Sequence, residues 1–371
     1  MLIRSIGEYK ANLNDSGNYP LTVGTQLSQG VDVRLAGAVP RYWMGKPPKD
    51  INMRLPDQIL HTSCFIAHRT KEIKFGGTAF IVSIKGRHDN AFLYLVTAKH
   101  VAEAVEHGPF VVGLNQKSGS RAYLDVDEAK WYYHPTEPTA VDAAATIFTP
   151  ERYDSLNVEW VHETMFATPD VMRSAGIGIG DEIAVIGLFT RFWGKEQHVP
   201  IARIGNLAML PNDRVPVKDF DPMEAYLAEG RSIGGLSGSP VFVRQTVNMT
   251  LANENGSPVP FAGTGQIYFL GLMHGHWDVP KKVLDKEGVE AAEMVNMGVS
   301  IVVPAQKIKE ILYQQELVEM RNEVDKEIAN ESGPTQDSEL KKPDHVFTKQ
   351  DFETALKKAS RKIVPRAKDK G

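Results

Sequence analysis

Cysteine is nearly absent from this chain, which has Cys64 as the single cysteine among 371 residues. One thiol excludes an intrachain disulfide framework, and small secreted domains usually depend on one. The sequence also lacks an apolar run of signal-peptide length near its start, and it nowhere has the roughly 18 consecutive apolar residues of a membrane span. We therefore expect a cytoplasmic protein with no membrane partner, in which Cys64 is a small buried core residue rather than a reactive thiol.

A strong net charge is also missing, because 42 lysines and arginines stand against 46 acidic residues, a formal charge of -4. Without a basic field, the composition argues against nucleic-acid binding. A hydrophobic content of 42% supports a sizeable core. The length is enough for two ordinary domains, or for one double-barrel unit with extensions.

The chain divides by its pattern of short apolar runs. Residues 1–52 are rich in Gly, Pro and Asn without clear periodicity, which indicates an N-terminal extension. Short β-rich runs separated by turn residues follow over 53–160 and again over 161–304, and this is typical of two small antiparallel barrels. The predicted strands are 59–68, 78–84, 92–97, 110–114, 123–133 and 143–148 in the first, and 182–189, 201–210, 240–244, 267–273 and 297–303 in the second.

The pattern changes to helical spacing after Pro304. Apolar residues from Ile308 to Ile328 recur at helical intervals, which predicts a C-terminal helix over 305–330. Residues 331–371 are interpreted as a linker and a short basic helix capped by Thr348. This helical tail is either a solvated end or a surface on which a regulatory partner docks.

Three separated segments carry residues suited to acyl transfer. They are Leu95–Val101 with the sequence LVTAKHV, Ala140–Phe148 with AVDAAATIF, and Gly234–Phe242 with GGLSGSPVF. A nucleophilic hydroxyl needs a base, and the base needs a group that orients it. In order and spacing, the His, Asp and Ser of these segments resemble the trypsin-like, chymotrypsin-fold serine peptidases. The resemblance covers about residues 55–315 and implies two antiparallel six-stranded β-barrels with a C-terminal helix.

The resemblance also assigns roles to these residues. It implies Ser237 as nucleophile, His100 as general base and Asp142 as the residue that orients His100. The N–H groups of Gly235 and Ser237 would form the oxyanion hole. Residue type alone also admits Ser239 as nucleophile and Asp125 or Asp127 as orienter, but the position within each motif and the spacing favour the first set.

Some positions depart from the family's pattern. Leu236 stands where members activated by propeptide cleavage often have Asp, so the chain is more similar to intracellular bacterial members, and the serine motif also looks like that of glutamyl endopeptidases. Lys99 precedes His100 where the family has Ala, and Asp142 is followed by alanines. Lys99 and these alanines support one rival hypothesis, an inactive fold used as a binding module. A second rival keeps the triad in an enzyme that is latent until a partner docks on the N-terminal extension or the tail.

The substrate pocket has several candidate residues. His274 and His276 lie on a segment that resembles the strand lining the primary specificity pocket, with Gly298 in the opposite wall and Arg231 at the floor. A histidine or Arg231 could read an acidic side chain of a polypeptide substrate, one histidine could instead contact Asp142, and a structural role or a metal pair are the alternatives. The mechanism implied needs no metal and no organic cofactor.

Overall fold

The computed structural model describes residues 3–5, 55–70, 73–87, 90–150, 153–230, 235–245, 250–252, 258–260, 266–284 and 290–332. Strands dominate these residues, as the alternation of short apolar runs and turn residues predicts. The predicted N-terminal extension lies almost entirely outside the described residues, and so does the basic tail.

The first unit is a nine-stranded sheet with the spatial order β1-β6-β5-β2-β3-β4-β8-β7, in which β9 pairs in parallel with β3. The central strand β3 is long and almost wholly buried, as its apolar sequence FGGTAFIVSIK dictates. The strands are β1 (Ile3–Ser5), β2 (Ser63–His68), β3 (Phe75–Lys85), β4 (Ala91–Thr97), β5 (Phe110–Asn115), β6 (Arg121–Val126), β7 (Tyr132–Tyr133), β8 (Ala144–Ile147) and β9 (Val161–His162).

The second unit is a closed antiparallel barrel of six strands in the order β10-β11-β14-β19-β18-β15. Closure leaves no edge strand in the barrel. Its strands are β10 (Glu182–Gly187), β11 (Ile201–Met209), β14 (Tyr226–Glu229), β15 (Pro240–Arg244), β18 (Ile267–Leu284) and β19 (Glu290–Pro304). Two short hairpins accompany it, β12 (Arg214–Val215) with β13 (Met223–Glu224) and β16 (Thr250–Ala252) with β17 (Pro258–Pro260).

The described helices are few and short, apart from the last. They are α1 (Asp57–Leu60), α2 (Lys99–Glu106), α3 (Pro169–Ala175), α4 (Ala305–Leu312) and α5 (Gln315–Ser332). The side chains of Ile308, Ile311 and Leu312 in α4 are fully buried in the same hydrophobic cluster as the first sheet, so this helix fastens the end of the second unit to the first. Among the described helices, none combines the length and the apolar character that crossing a membrane requires.

The predicted all-β fold class is confirmed, with differences of detail. The six-stranded barrel is present in the second unit, whereas the described pairings of the first unit form a nine-stranded sheet that does not close. The strand predicted over 59–68 starts later than expected, at Ser63. The residues before it form one turn of helix, α1, which follows Pro56 and ends at His61. The helix predicted over 305–330 is in fact two helices. The apolar residues Leu312 and Leu317 are five positions apart, which departs from helical spacing, and α4 ends at Tyr313 between them.

The two units share buried side chains and direct backbone bonds. The rings of Phe80 in β3 and Phe269 in β18 have centroids 5.2 Å apart. The N–H of Thr78 donates to the carbonyl of Ser237 at 3.0 Å, which fixes the turn before β15 against β3. The candidate residues on the two units are therefore held together by the packing of the first sheet on the barrel. The division into domains at the predicted boundaries stays a prediction.

Candidate active site

His100 lies in the first turn of α2, directly after the buried end of β4. The first N–H groups of a helix lack partners within the helix. The N–H of His100 finds one in Oδ1 of Asp142 at 3.0 Å. Because a negative charge near a helix N-terminus is favourable, the same contact stabilises both the helix and the carboxylate. The predicted position of His100 at a strand end is thus refined to the start of a helix.

Asp142 is the most buried charged group of the site, with 0% of its side chain exposed. Its Oδ2 lies 2.8 Å from Nδ1 of His100 and 2.5 Å from Nδ1 of His274. An ionised carboxylate only accepts hydrogen bonds, so both rings carry a proton on Nδ1. Burial alone raises the pKa of Asp142, but the bonds and charges of the two histidines outweigh it and hold that pKa well below its usual range. In the neutral form of His100, this arrangement leaves a lone pair on Nε2.

The pKa of His100 is raised above its ordinary value. Burial lowers the pKa, but the hydrogen bond to Asp142 and the charges of Asp142 and Glu103 together raise it by more. The His100 side chain remains 39% exposed, so its free Nε2 can be reached from solvent. A base with these properties accepts a proton readily and is stabilised as the imidazolium.

His274 reaches Asp142 because the strand that carries it is irregular. In β18, Met273 pairs with Val302 while Gly275 already pairs with Ile301, so His274 sits at a β-bulge. Bulges re-aim a side chain out of the regular alternation of a strand. The ring of Phe220 then packs edge-on against His274, with centroids 5.4 Å apart.

Ser237 lies in a turn that only glycine neighbours allow. Gly235 has φ 98° and Gly238 has φ 83°, both in the left-handed region. A Cβ on Gly238 would lie 2.1 Å from the carbonyl oxygen of Thr78, so a side chain there is impossible without moving β3. The turn therefore packs directly against the first unit, next to the start of helix α2, which carries His100.

The hydroxyl of Ser237 donates to the backbone carbonyl of His274 at 3.1 Å. Among the described residues, no hydrogen bond joins this hydroxyl to the ring of His100. The four residues form one connected series, from Ser237 through His274 and Asp142 to His100. No hydrogen bond between described residues uses the N–H of Gly235 or of Ser237.

The rival candidates occupy other environments. Ser239 has 0% of its surface exposed and lies in the interior behind the turn. Asp125 and Asp127 both contact the guanidinium of Arg69, at 3.4 and 3.0 Å. Lys99 turns away from His100 and donates to the carbonyl of Pro138 at 2.6 Å.

The predicted pocket residues are only partly brought together. His274 is committed to Asp142 through Nδ1, while His276 stands two residues further along β18 and is half-buried. Gly298 has φ 77°, and a Cβ there would meet nothing within 4 Å, so this wall leaves space. Arg231 lies outside the described residues.

A metal ion would find one candidate set of donors in the part of the chain that the structure describes. His100, Asp142 and His274 each offer one ligand atom, and these three atoms lie within 4.8 Å of one another. Both imidazoles already direct an N–H at the same carboxylate oxygen, so a metal would have to displace those protons. The expectation that the site needs no metal stays a prediction.

Thr78 is a site residue that the sequence analysis did not single out. Its hydroxyl donates to the carbonyl of Gly235 at 2.7 Å and accepts from the N–H of Leu188 at 2.9 Å. The hydroxyl of Thr97 in turn donates to the carbonyl of Thr78 at 2.7 Å. A threonine directly before the apolar run of β3 was the available signal, since a buried hydroxyl needs partners.

Comparisons with known proteins give no match in sequence and only a distant likeness in structure. No sequence model of a protein family matches the chain. No curated protein matches it in sequence either. Among solved structures, the chain is similar to the MamO protease domain from Magnetospirillum magneticum, with 12% identity, a TM-score of 0.40, and coverage of 68% of this chain and 96% of that one.

Two further solved structures show the same kind of likeness. An HtrA-type protease, AlgW with a decapeptide, is 14% identical with a TM-score of 0.39, over 71% of this chain and 66% of that one. Deg5 is 18% identical with a TM-score of 0.34, over 51% of this chain and 81% of that one. These matched structures are trypsin-like serine protease folds. At this similarity the roles of the site residues rest on the geometry of this chain itself.

Proposed function

We propose that this protein is a serine endopeptidase that hydrolyses polypeptides through an acyl-enzyme on Ser237. The observation that carries the proposal is a pair formed by the buried carboxylate of Asp142 and the partly exposed imidazole of His100. Oδ2 of Asp142 and Nδ1 of His100 are 2.8 Å apart. Such a pair fixes the tautomer with the proton on Nδ1 and leaves Nε2 to act as a base.

Ser237 is the proposed nucleophile because it is the hydroxyl in the glycine turn, and because it contacts the backbone of His274, whose ring contacts Asp142. In the structure it donates to the His274 carbonyl at 3.1 Å. The proposal requires that the hydroxyl leave this bond and donate to His100 instead, and catalytic hydrogen bonds often form only with substrate bound. His100 would take the proton as the oxygen attacks the carbonyl carbon, and later give it to the leaving amine.

The N–H groups of Gly235 and Ser237 are proposed to bind the oxyanion. Both are free of bonds to other described residues, and the positive φ of Gly235 orients the peptide group of this turn. Removing one oxyanion donor typically lowers the rate about 10²–10³-fold. The half-buried His276, two residues beyond His274 on β18, is the proposed histidine for reading the substrate side chain.

A second candidate function is a latent or catalytically inactive module that binds proteins. The bond from Ser237 to the His274 carbonyl favours it, since a hydroxyl held there is not activated by His100. In the latent version, a partner docking on the N-terminal extension or on the C-terminal tail would release the serine.

Fluorophosphonate labelling of the full chain tests the proposal, because the reagent reacts with an activated serine and not with an ordinary one. We expect label on Ser237, located by mass spectrometry, and its loss in Ser237→Ala and in His100→Ala. Ser239→Ala is the matched control and should label like the wild type, because Ser239 is buried.

Absence of label on the full chain would contradict constitutive activity. Label that appears only in a chain ending at residue 330 would then support the latent version. Absence of label in both would leave the inactive binding module.

A further inference from the structure

Lys99 is a residue of the candidate site to which the proposed function gives no role. It is the first residue of α2, and Ala98 before it offers the helix no side-chain cap. A cation in the first turn opposes the helix dipole, and alanine is a poor N-cap. Lysine is therefore unfavourable here for the helix itself, and a residue that breaks a local rule calls for a compensating role.

The side chain of Lys99 is held in one place. Only 16% of it is exposed, although lysine is rarely buried without partners. Its Nζ donates to the carbonyl of Pro138 at 2.6 Å and lies 3.6 Å from Oε1 of Glu103, one helical turn further on. The same Nζ is 5.7 Å from the ring centroid of Tyr133. These contacts give the bond to Pro138 a defined position and direction.

The bond from Lys99 to Pro138 joins the two segments that carry His100 and Asp142. Pro138 stands four residues before Asp142 in the chain. The N–H and the Nδ1 of His100 contact the two oxygens of Asp142, at 3.0 and 2.8 Å. Both of these contacts end on one carboxylate, so they leave the segment free to tilt about it. A third contact, four residues away, removes that freedom.

The second unit holds the same segment from its other side. Nζ of Lys307 in α4 contacts Oε2 of Glu137 at 2.5 Å. The hydroxyl of Thr139 donates to Oδ2 of Asp221 at 2.6 Å, and the N–H of Asp221 donates to the carbonyl of Thr139 at 3.0 Å. The segment is thus suspended between the second unit and α2, and Lys99 supplies the contact on the side of α2.

We propose that Lys99 is a positioning residue, which sets the distance between His100 and Asp142 by tying residues 138–142 to α2 through its bond to Pro138. The effect on rate rests on the proposed function, but the geometry does not require an active enzyme. Without this contact, we expect Asp142 to move away from His100 while it keeps its bond to His274. A displacement of about 1 Å in an active site can lower the rate on the order of 10²-fold.

Lys99→Met tests the proposal, because it removes the ammonium and keeps the length of the side chain. The Nδ1 protons are followed by NMR in the full chain with ¹⁵N-labelled histidine, and the signal of His100 is assigned by its loss in His100→Gln. In Lys99→Met, we expect this signal to move upfield as its hydrogen bond weakens. The Nδ1 proton of His274, which shares the carboxylate, should stay in place. Lys117→Met, at an exposed lysine between β5 and β6, is the control and should move neither signal.

The pKa of His100, measured from its ring nitrogen shifts, separates positioning from charge. Burial lowers this pKa, and the bond to Asp142 raises it. Weakening the bond in Lys99→Met should therefore lower the pKa. If Lys99 acted only through its charge, its removal would raise the pKa, because a nearby cation disfavours the imidazolium.

The rate of Ser237 labelling should fall about tenfold to hundredfold in Lys99→Met, the range given by the loss of one hydrogen bond from a charged donor. Lys99→Arg keeps a cationic donor and should lose less. Lys99→Ala, which suits the start of α2, should give the same proton shift as Lys99→Met and replaces it if that variant does not fold.

Four results would overturn the proposal. They are an unchanged His100 proton signal in Lys99→Met, equal shifts of the His100 and His274 signals, a raised pKa of His100, and equal losses of rate in Lys99→Arg and Lys99→Met. The proton signals and the pKa need no activity. Absence of labelling in the wild type would therefore contradict the proposed peptidase alone, and the NMR results would still decide the role of Lys99.

Discussion

Two histidine environments in this molecule, one partly exposed and one buried, differ in a charge that decides their chemistry. At the candidate active site, His100 directs its Nδ1 proton at the buried carboxylate of Asp142. Elsewhere, His198 is only 4% exposed, the rings of Phe65, Phe75 and Tyr123 pack edge-on against it, and neither ring nitrogen has a partner among the described residues. Burial lowers the pKa at both places, yet the net shift is upward for His100 and downward, to about 4, for His198.

The comparison shows that burial does not by itself make a histidine a base. Desolvation disfavours the charged ring everywhere, and only a nearby opposite charge reverses its effect. Asp142 supplies that charge at one site, whereas at the other the cation of Arg121 acts on the ring and lowers its pKa further. The first environment is suited to taking up a proton, and the second to holding a neutral ring in an apolar wall.

The largest expected effect comes from Asp142→Asn, which removes the difference between the two environments. The rate of Ser237 labelling, or of peptide hydrolysis, should fall about 10³–10⁴-fold, since the amide favours the wrong tautomer of His100. Hydrolysis needs neutral His100, so wild-type activity should rise with pH through a pKa above the ordinary value of about 6.5. We call this rise the acid limb of the pH profile. In Asp142→Asn the acid limb should move to lower pH, because the charge that raises the pKa of His100 is removed.

Rate against pH between 5 and 9 checks this prediction, with Asp127→Asn as a matched control because its carboxylate contacts Arg69 instead. An acid limb below pH 6 in the wild type, or an unchanged limb in Asp142→Asn, would contradict the electrostatic account. Far-UV circular dichroism at pH 7 establishes that both variants are folded.

A second effect, on stability, tests the other environment. The folded-state pKa of His198 is about 4, below the unfolded value of about 6.5. The unfolded chain therefore binds more protons between these values, and the stability due to neutral His198 is fully present above pH 6.5 and lost as pH falls toward 4. The shift corresponds to a loss on the order of 3 kcal/mol in the free energy of unfolding.

His198→Leu should remove this part of the pH dependence. Its free energy of unfolding should equal or exceed that of the wild type by about 1 kcal/mol at pH 7, because an unpaired polar group is replaced by an apolar one. Urea denaturation at pH 7 and at pH 4.5 measures both quantities, and His107→Leu is the exposed control. A steeper loss in His198→Leu than in the wild type would mean that the ring is charged or hydrogen-bonded in the folded state.

The sequence supported the fold class well because strand alternation is a local property. The runs over 92–97 and 110–114 and the strand Pro240–Arg244 were predicted within a residue or two of their bounds. The closing of the second barrel and the nine-stranded sheet of the first unit depend on pairings between distant strands, which no local pattern specifies. Helix α3 was missed for a different reason, since its seven residues are too few to show helical periodicity.

The candidate site was predicted through motifs, and its geometry was not. His100, Asp142 and Ser237 stand in segments whose glycines and apolar flanks are visible in the sequence. That His274 would bind Asp142 was one of several alternatives, because the bulge that turns its side chain depends on how β18 pairs with β19. His198 carries no sequence signal at all, since its role depends on rings contributed by residues 65, 75 and 123.

The smallest expected effect comes from His274→Leu, which leaves Asp142 with one imidazole instead of two. The lost bond is to a buried charge, and such bonds contribute about 1.5–3 kcal/mol. Because His100 keeps its own bonds to both oxygens of Asp142, we expect only about a tenfold fall in the rate of Ser237 labelling. His274→Asn retains an N–H donor and should recover most of the rate.

A pH profile separates this role from a general loss of structure. With His274 removed, the carboxylate is shared by fewer donors and attracts the proton of His100 more strongly, so the acid limb should move to higher pH. This direction is opposite to that expected for Asp142→Asn, and a merely destabilised protein would show neither shift. An acid limb that stays in place in His274→Leu while the rate falls would mean that the ring acts on Ser237 through the backbone of the bulge rather than through Asp142.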